Sequence, residues 1–161
     1  DYPAQVRALI LAGCGAGTTI RSQMQGNIDG YRQKGMAYRW ESIEGLVSPQ
    51  FATSDLGRYL ISMFMETNPT TDMDSIIRNF EALIEFNITD RLHEIRAPTI
   101  IISGEFDQAL PRARDLNRAI AGSEHHVIKG AGHACALEKP WEFDALVVAF
   151  LKKHGLLPQS E

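Results

Sequence analysis

The chain has 161 residues, 44% hydrophobic and 22% charged, with a formal net charge of −4. That is the size and make-up of about one globular domain, and it excludes collagen-like, disordered and coiled-coil chains. A mildly acidic chain without a Lys/Arg cluster lacks the concentrated positive charge that phosphate backbones require, so no nucleic-acid partner is expected.

The chain begins Asp1-Tyr2-Pro3 without an initiator Met and enters an apolar run at residues 6–12 almost at once. No basic segment precedes the run, and it is too short for a signal peptide. A buried strand fits it, with neighbours expected on both sides. The start therefore reads as a cut through a larger domain, with a mature terminus left by processing as the alternative. Gly13-Cys14-Gly15-Ala16-Gly17 follows, a glycine-rich turn. Residues 18–87 are mostly helical in pattern. A weakly amphipathic stretch at 21–37 is interrupted by glycines at 26, 30 and 35. Leu56, Tyr59, Leu60, Met63 and Phe64 fall on one helix face, with Thr53 or Ser54 as cap and Asn68-Pro69 as stop. Ile76, Ile77, Phe80, Leu83 and Ile84 mark another helix, capped by Thr71 or Asp72.

After Pro98 the period changes. Thr99-Ile100-Ile101-Ile102-Ser103 is a continuous β-branched run, the mark of a strand buried on both faces. Pro111 is placed to open a helix carrying Leu116 and Ile120, and Gly122 to close it. Residues 125–129 are strand-like, and Gly130-Ala131-Gly132-His133 is a tight loop. Pro140 opens a last helix with Phe143, Val147, Phe150 and Leu151 on one stripe, ended by Gly155, and Trp141 is expected to pack. Strands alternating with helices imply an α/β fold with a parallel sheet and right-handed crossovers. The first crossover is far longer than usual. An insertion of that kind is expected to cover a site.

Ligands of open parallel sheets bind beyond the carboxyl ends of the strands. The loops leaving the second and third strands carry Asp107 and His133, which places a carboxylate and an imidazole on one rim. Nucleophilic catalysis uses that pair: the imidazole takes a proton and the carboxylate fixes its tautomer. Glu105 is the alternative acid.

Residues 88–153 resemble the C-terminal part of an α/β-hydrolase. Arg96-Ala97-Pro98 and the strand running into Gly104-Glu105-Phe106-Asp107, followed by Pro111, are similar to the family's acid loop. Gly130-Ala131-Gly132-His133, followed by Glu138-Lys139-Pro140, is similar to its histidine loop, 26 residues after the acid. The resemblance implies a partial α/β-hydrolase fold divided into a core strand and turn (1–17), a helical lid or cap (18–87) and the C-terminal core (88–161). It implies Asp107 as triad acid and His133 as triad base, with Glu138 bracing the last helix. It also implies hydrolysis of an ester, lactone or related acyl or C–C bond of a small molecule. Gly35-Met36-Ala37, the lid length and the 80–90 run bring enol-lactone hydrolases into view. No Ser or Cys is flanked by glycine at both −2 and +2, so the nucleophile elbow is not on this chain.

Other readings carry less. The glycine turn has Thr18 where a dinucleotide fingerprint needs its third glycine. Cys14 lacks an elbow, and Cys135 is expected to be packed. His93, His125, His126 and His154 show no metal-ligand spacing, so no metal or cofactor is expected. The lid residues Trp40, Phe51, Tyr59, Met63, Phe64 and Met65 are expected mostly in the lid's own core, with one or two facing a substrate. No run is long enough to span a membrane, and two cysteines fit a reducing, cytoplasmic setting. The second reading is a catalytically inactive fragment or interaction module. It would associate through an open sheet edge at 6–12, either with a copy of itself as a homodimer or with a missing N-terminal half.

Overall fold

A computed structural model of the protein describes residues 3–17, 21–67 and 72–157. Thr18, Asn68, Pro69 and Thr71, singled out above, lie outside them. The centre is a parallel sheet of β1 (Leu9–Ala12), β2 (Thr99–Gly104) and β3 (Glu124–Ile128), in the order β1-β2-β3. Leu9 lies opposite Thr99, and Ile100 opposite Glu124.

β2 is the middle strand because its side chains can be buried on both faces. Ile101 packs with Leu116, Ile120 and Leu92 on one face, and Ile100 and Ile102 pack with Ile128, Cys135 and Phe150 on the other. Burying each of these isoleucines stabilises the fold by about 1.5–3 kcal/mol. α6 (Leu110–Ala119) crosses from β2 to β3 on the first face, while α8 (Pro140–Lys153) covers the second. Pro111 sits at the second residue of α6, where its missing N–H costs nothing.

β1 is the open edge expected at 6–12: it pairs with β2 alone, and Ile10 is exposed. An apolar run predicts burial only when strands exist on both flanks, and among the described residues none pairs with the far edge. Beside it a hollow of about 550 Å³ is lined by Val6, Leu9, Leu92 and Ile95, among others.

Between β1 and β2 the chain makes a helical insertion: α1 (Arg21–Lys34), α2 (Tyr38–Glu44), α3 (Pro49–Thr53), α4 (Asp55–Thr67) and α5 (Met73–Glu85). α1 and α5 form its core, with Met24, Ile28 and Tyr31 against Ile76, Ile77 and Ile84. That packing overrides the poor helix propensity of the glycines in α1. Asp72 caps α5 by accepting from Ser75 N–H at 2.8 Å. The apolar stripe of α4 is a correction: Leu56, Tyr59, Met63 and Phe64 are exposed, as is Trp40, instead of forming the insertion's core. Trp141 is 84% exposed and does not pack, because it lies on the outward side of the first turn of α8. Among the described residues no helix is long and apolar enough to cross a membrane.

Candidate active site

Parallel strands put their carboxyl ends on one rim, and three loops leave that rim after Ala12, Gly104 and Ile128. The second and third are stitched together through their backbones. Glu105 N–H donates to Ile128 O at 3.0 Å, and Phe106 N–H to Ala131 O at 2.9 Å. Glu105 is exposed, and its carboxylate accepts from Gly130 N–H at 2.9 Å, which ties down the start of the histidine loop.

This stitching brings Asp107 and His133 into contact. His133 Nδ1 lies 3.0 Å from Asp107 Oδ1. An ionised carboxylate can only accept, so Nδ1 carries the hydrogen and Nε2 is left as the acceptor of the neutral ring. The Asp107 side chain is 0% exposed and that of His133 is 40% exposed. The ring thus meets its buried anchor on one side and open space on the other. Asp107 Oδ1 also accepts from Ala109 N–H at 2.7 Å. Burial alone would raise the Asp107 carboxyl. The hydrogen bonds from His133 and Ala109, with the charge of Arg112 and that of His133 when it is protonated, outweigh it and hold the carboxyl below its ordinary value. Asp107 Oδ2 is buried and has no hydrogen-bond partner among the described residues.

The loop after β1 forms the floor under the imidazole. Gly13 has φ +59°, and a Cβ there would come within 2.9 Å of His133 Cε1 and 3.0 Å of Nδ1. Only glycine allows the backbone both that conformation and that approach. Cys14, next along, is half-buried. Burial first, then the charge of Asp107, push its thiol up against a smaller opposing effect of Arg112. It is therefore a protonated thiol at neutral pH and a poor nucleophile. Cys135 is buried in the core beside Ile100 and Phe150, with its thiol pushed up chiefly by burial.

The histidine loop is held from its other side by the insertion, a feature that sequence reasoning missed. Glu138, at the end of the short helix α7 (Cys135–Glu138), is buried and does not brace α8. Its Oε1 accepts from Gly132 N–H at 2.7 Å and its Oε2 from Ser48 N–H at 2.9 Å. Ala134 N–H donates to Leu46 O at 3.1 Å. Residues 46–48 therefore form a strap bonded directly to Ala134 and, through the Glu138 carboxylate, to Gly132, on the two sides of His133. The approach is so close that a Cβ on Gly132 would stand 2.7 Å from Ser48 N. Ser48 also caps α3, accepting from Phe51 N–H at 3.3 Å. The Ser48-Pro49 pair is an N-cap signature that could have marked this turn; nothing local marks its distant partner. Among the described residues no three His, Cys, Asp or Glu side chains cluster as a metal site.

No family model matches the chain. It is 29% identical over 164 residues to a 2-hydroxy-6-oxononadienedioate/2-hydroxy-6-oxononatrienedioate hydrolase of Klebsiella pneumoniae, which covers 95% of this chain and 56% of the relative. It is 30% identical over 166 residues to the hydrolase of the same description from Escherichia coli O139:H28, with the same coverage. The chain thus spans little more than half the length of these relatives. Among solved structures it superposes on the enol-lactonase from Burkholderia xenovorans LB400 with a TM-score of 0.79 at 21% identity, covering 92% of this chain and 57% of that one. It also superposes on MGS-M2, an α/β hydrolase from a deep-sea metagenome library, with a TM-score of 0.76 at 26% identity, covering 100% and 60%. A three-stranded parallel sheet with flanking helices and a helical insertion, aligned to these proteins, defines a partial α/β-hydrolase fold. The chain carries the C-terminal portion of the α/β-hydrolase fold.

Proposed function

We propose that this chain supplies the acid and the base of a nucleophile-His-Asp triad in a hydrolase acting on an ester, lactone, or related acyl or C–C bond of a small molecule. The observation that carries the reading is the 3.0 Å contact between His133 Nδ1 and the fully buried Asp107. His133 Nε2 takes the proton of a nucleophile held on an elbow outside this sequence, gives it to the leaving group as the acyl intermediate forms, then takes a proton from the water that releases the acyl group. Asp107 fixes the tautomer and stabilises the imidazolium as it forms. Residues 1–17 give the core strand and the floor of the imidazole, 18–87 the lid, and 88–161 the acid and histidine loops. The relatives named for hydrolysing dioates and enol-lactones support a small, partly apolar substrate, and the two unpaired cysteines fit a cytoplasmic setting.

The test uses a polypeptide that joins this chain to an elbow-bearing segment. It should hydrolyse p-nitrophenyl butyrate, and His133→Ala should lower kcat by about 10³-fold or more. Turnover that survives His133→Ala overturns the assignment. The exposed outer edge of β1, with Ile10 and Val6 uncovered, favours a second reading. In it the chain is an inactive module that pairs through that edge. A native mass of two chains, with no hydrolysis by the joined polypeptide, would favour that module.

A further inference from the structure

Arg39 differs from the arginines that form ion pairs. Arg21, Arg32, Arg58, Arg91 and Arg118 are exposed, and each pairs with a carboxylate. Arg39 is only 8% exposed, yet no carboxylate pairs with it among the described residues. Its Nε is buried without a hydrogen-bond partner among the described residues, and its guanidinium faces the Phe64 ring, Cζ lying 5.9 Å from the centroid. The nearest acid along its own helix, Glu41, is held by Lys34 at 2.7 Å. A guanidinium stays charged at any physiological pH, and burying it unpaired is costly. Among the described residues the charge of Arg39 thus has only the face of the Phe64 ring to offset its burial. Such a group is a site for an anion that arrives from outside.

Its position fits the site described above. Arg39 is on the second residue of α2, which runs into the 46–48 strap bonded on both sides of His133. Seven residues of helical rise separate it from Leu46, about 10 Å. Beside it the Phe64 ring exposes apolar surface. One buried planar fork against an aromatic ring matches a single carboxylate on an apolar chain, which it can grip through two parallel N–H donors. A phosphate dianion would call for a second cation.

We propose that Arg39 binds the carboxylate of the substrate, so that the substrate is an anionic acyl compound whose charged end lies in the lid and whose scissile carbonyl reaches His133. The proposal rests on the hydrolase reading for the word substrate, but its test does not depend on turnover. The chain itself, with arginine ¹⁵N-labelled, is titrated with hexanoate, with hexan-1-ol and with inorganic phosphate. Hexanoate should shift the Arg39 Nε–H resonance saturably, with a Kd on the order of 1 mM, while hexan-1-ol and phosphate should not. Arg39→Met should weaken hexanoate binding by about tenfold or more. Arg39→Lys should keep part of it, and Arg58→Met and His133→Ala should keep all of it. Arg39→Met should also leave the urea midpoint unchanged or raised, because it removes an unpaired buried charge. A hexanoate shift that does not saturate, equal binding by Arg39→Met, or a lowered urea midpoint in both Arg39 variants would overturn the proposal. Persistence of hexanoate binding in a joined polypeptide whose turnover ignores His133 would sink the triad and leave the Arg39 site standing.

Discussion

Removing Glu138 should loosen the grip of the insertion on the histidine loop. In Glu138→Ala, Gly132 N–H and Ser48 N–H lose their acceptors in a site sealed from water. Each buried donor left without a partner costs about 1–3 kcal/mol, so the substitution should destabilise the chain by about 2–6 kcal/mol. With a urea m-value of about 1–3 kcal/mol/M for a domain of this size, the midpoint should fall by at least about 0.7 M. Glu138→Gln should cost roughly half as much, since its oxygen still accepts from one N–H while its NH₂ meets the other. The position of the damage matters as much as its size. Amide exchange should accelerate at Ser48, Gly132 and Ala134, whose N–H groups make the strap, and stay slow in α5, where Ile76 and Ile84 pack on α1. A Glu138→Ala protein within about 0.5 kcal/mol of the parent would refute the reasoning. So would unchanged exchange at Ser48 and Gly132.

Other perturbations separate the site from the scaffold. Asp107→Asn tests the buried anion. The folded carboxyl titrates below the unfolded value of about 3.9, so its contribution is present above that pH and is lost as pH falls through the folded value. The stability gap between parent and Asp107→Asn should therefore be widest near neutrality and narrow below about pH 4 in acid-titrated urea melts. Gly13→Ala should cost about 1–3 kcal/mol from left-handed strain and should shift the His133 ring resonances, because its methyl meets Cε1. Asp72→Ala, which removes the cap of α5, should cost about 1 kcal/mol and leave the His133 resonances in place, measured by the same melts and spectra.

What the sequence made legible was local. The Thr99–Ser103 run is β-branched throughout because β2 is covered on both faces, and the Ile76/Ile77/Ile84 spacing marks the face of α5 that meets α1. Asp107 and His133 were readable because each sits just past a strand end, and parallel strands bring such ends together. The strap was not readable: Ser48 and Glu138 are 90 residues apart, and a carboxylate reaching a distant backbone N–H leaves no periodic trace. The apolar residues of α4 misled for another reason. Hydrophobicity says that a face is to be covered, not that this chain supplies the cover, and Tyr59 and Phe64 stand exposed. Arg39 was missed because an arginine in an amphipathic helix reads as a surface residue, and only its burial without a carboxylate sets it apart.

The pairing of Asp107 with His133 is tested most directly by ¹⁵N and ¹H spectroscopy of the imidazole. The account predicts a hydrogen on Nδ1, a strongly downfield Nδ1–H proton, and loss of that signal in Asp107→Asn. A ring protonated on Nε2 instead, or a spectrum indifferent to Asp107→Asn, would contradict it.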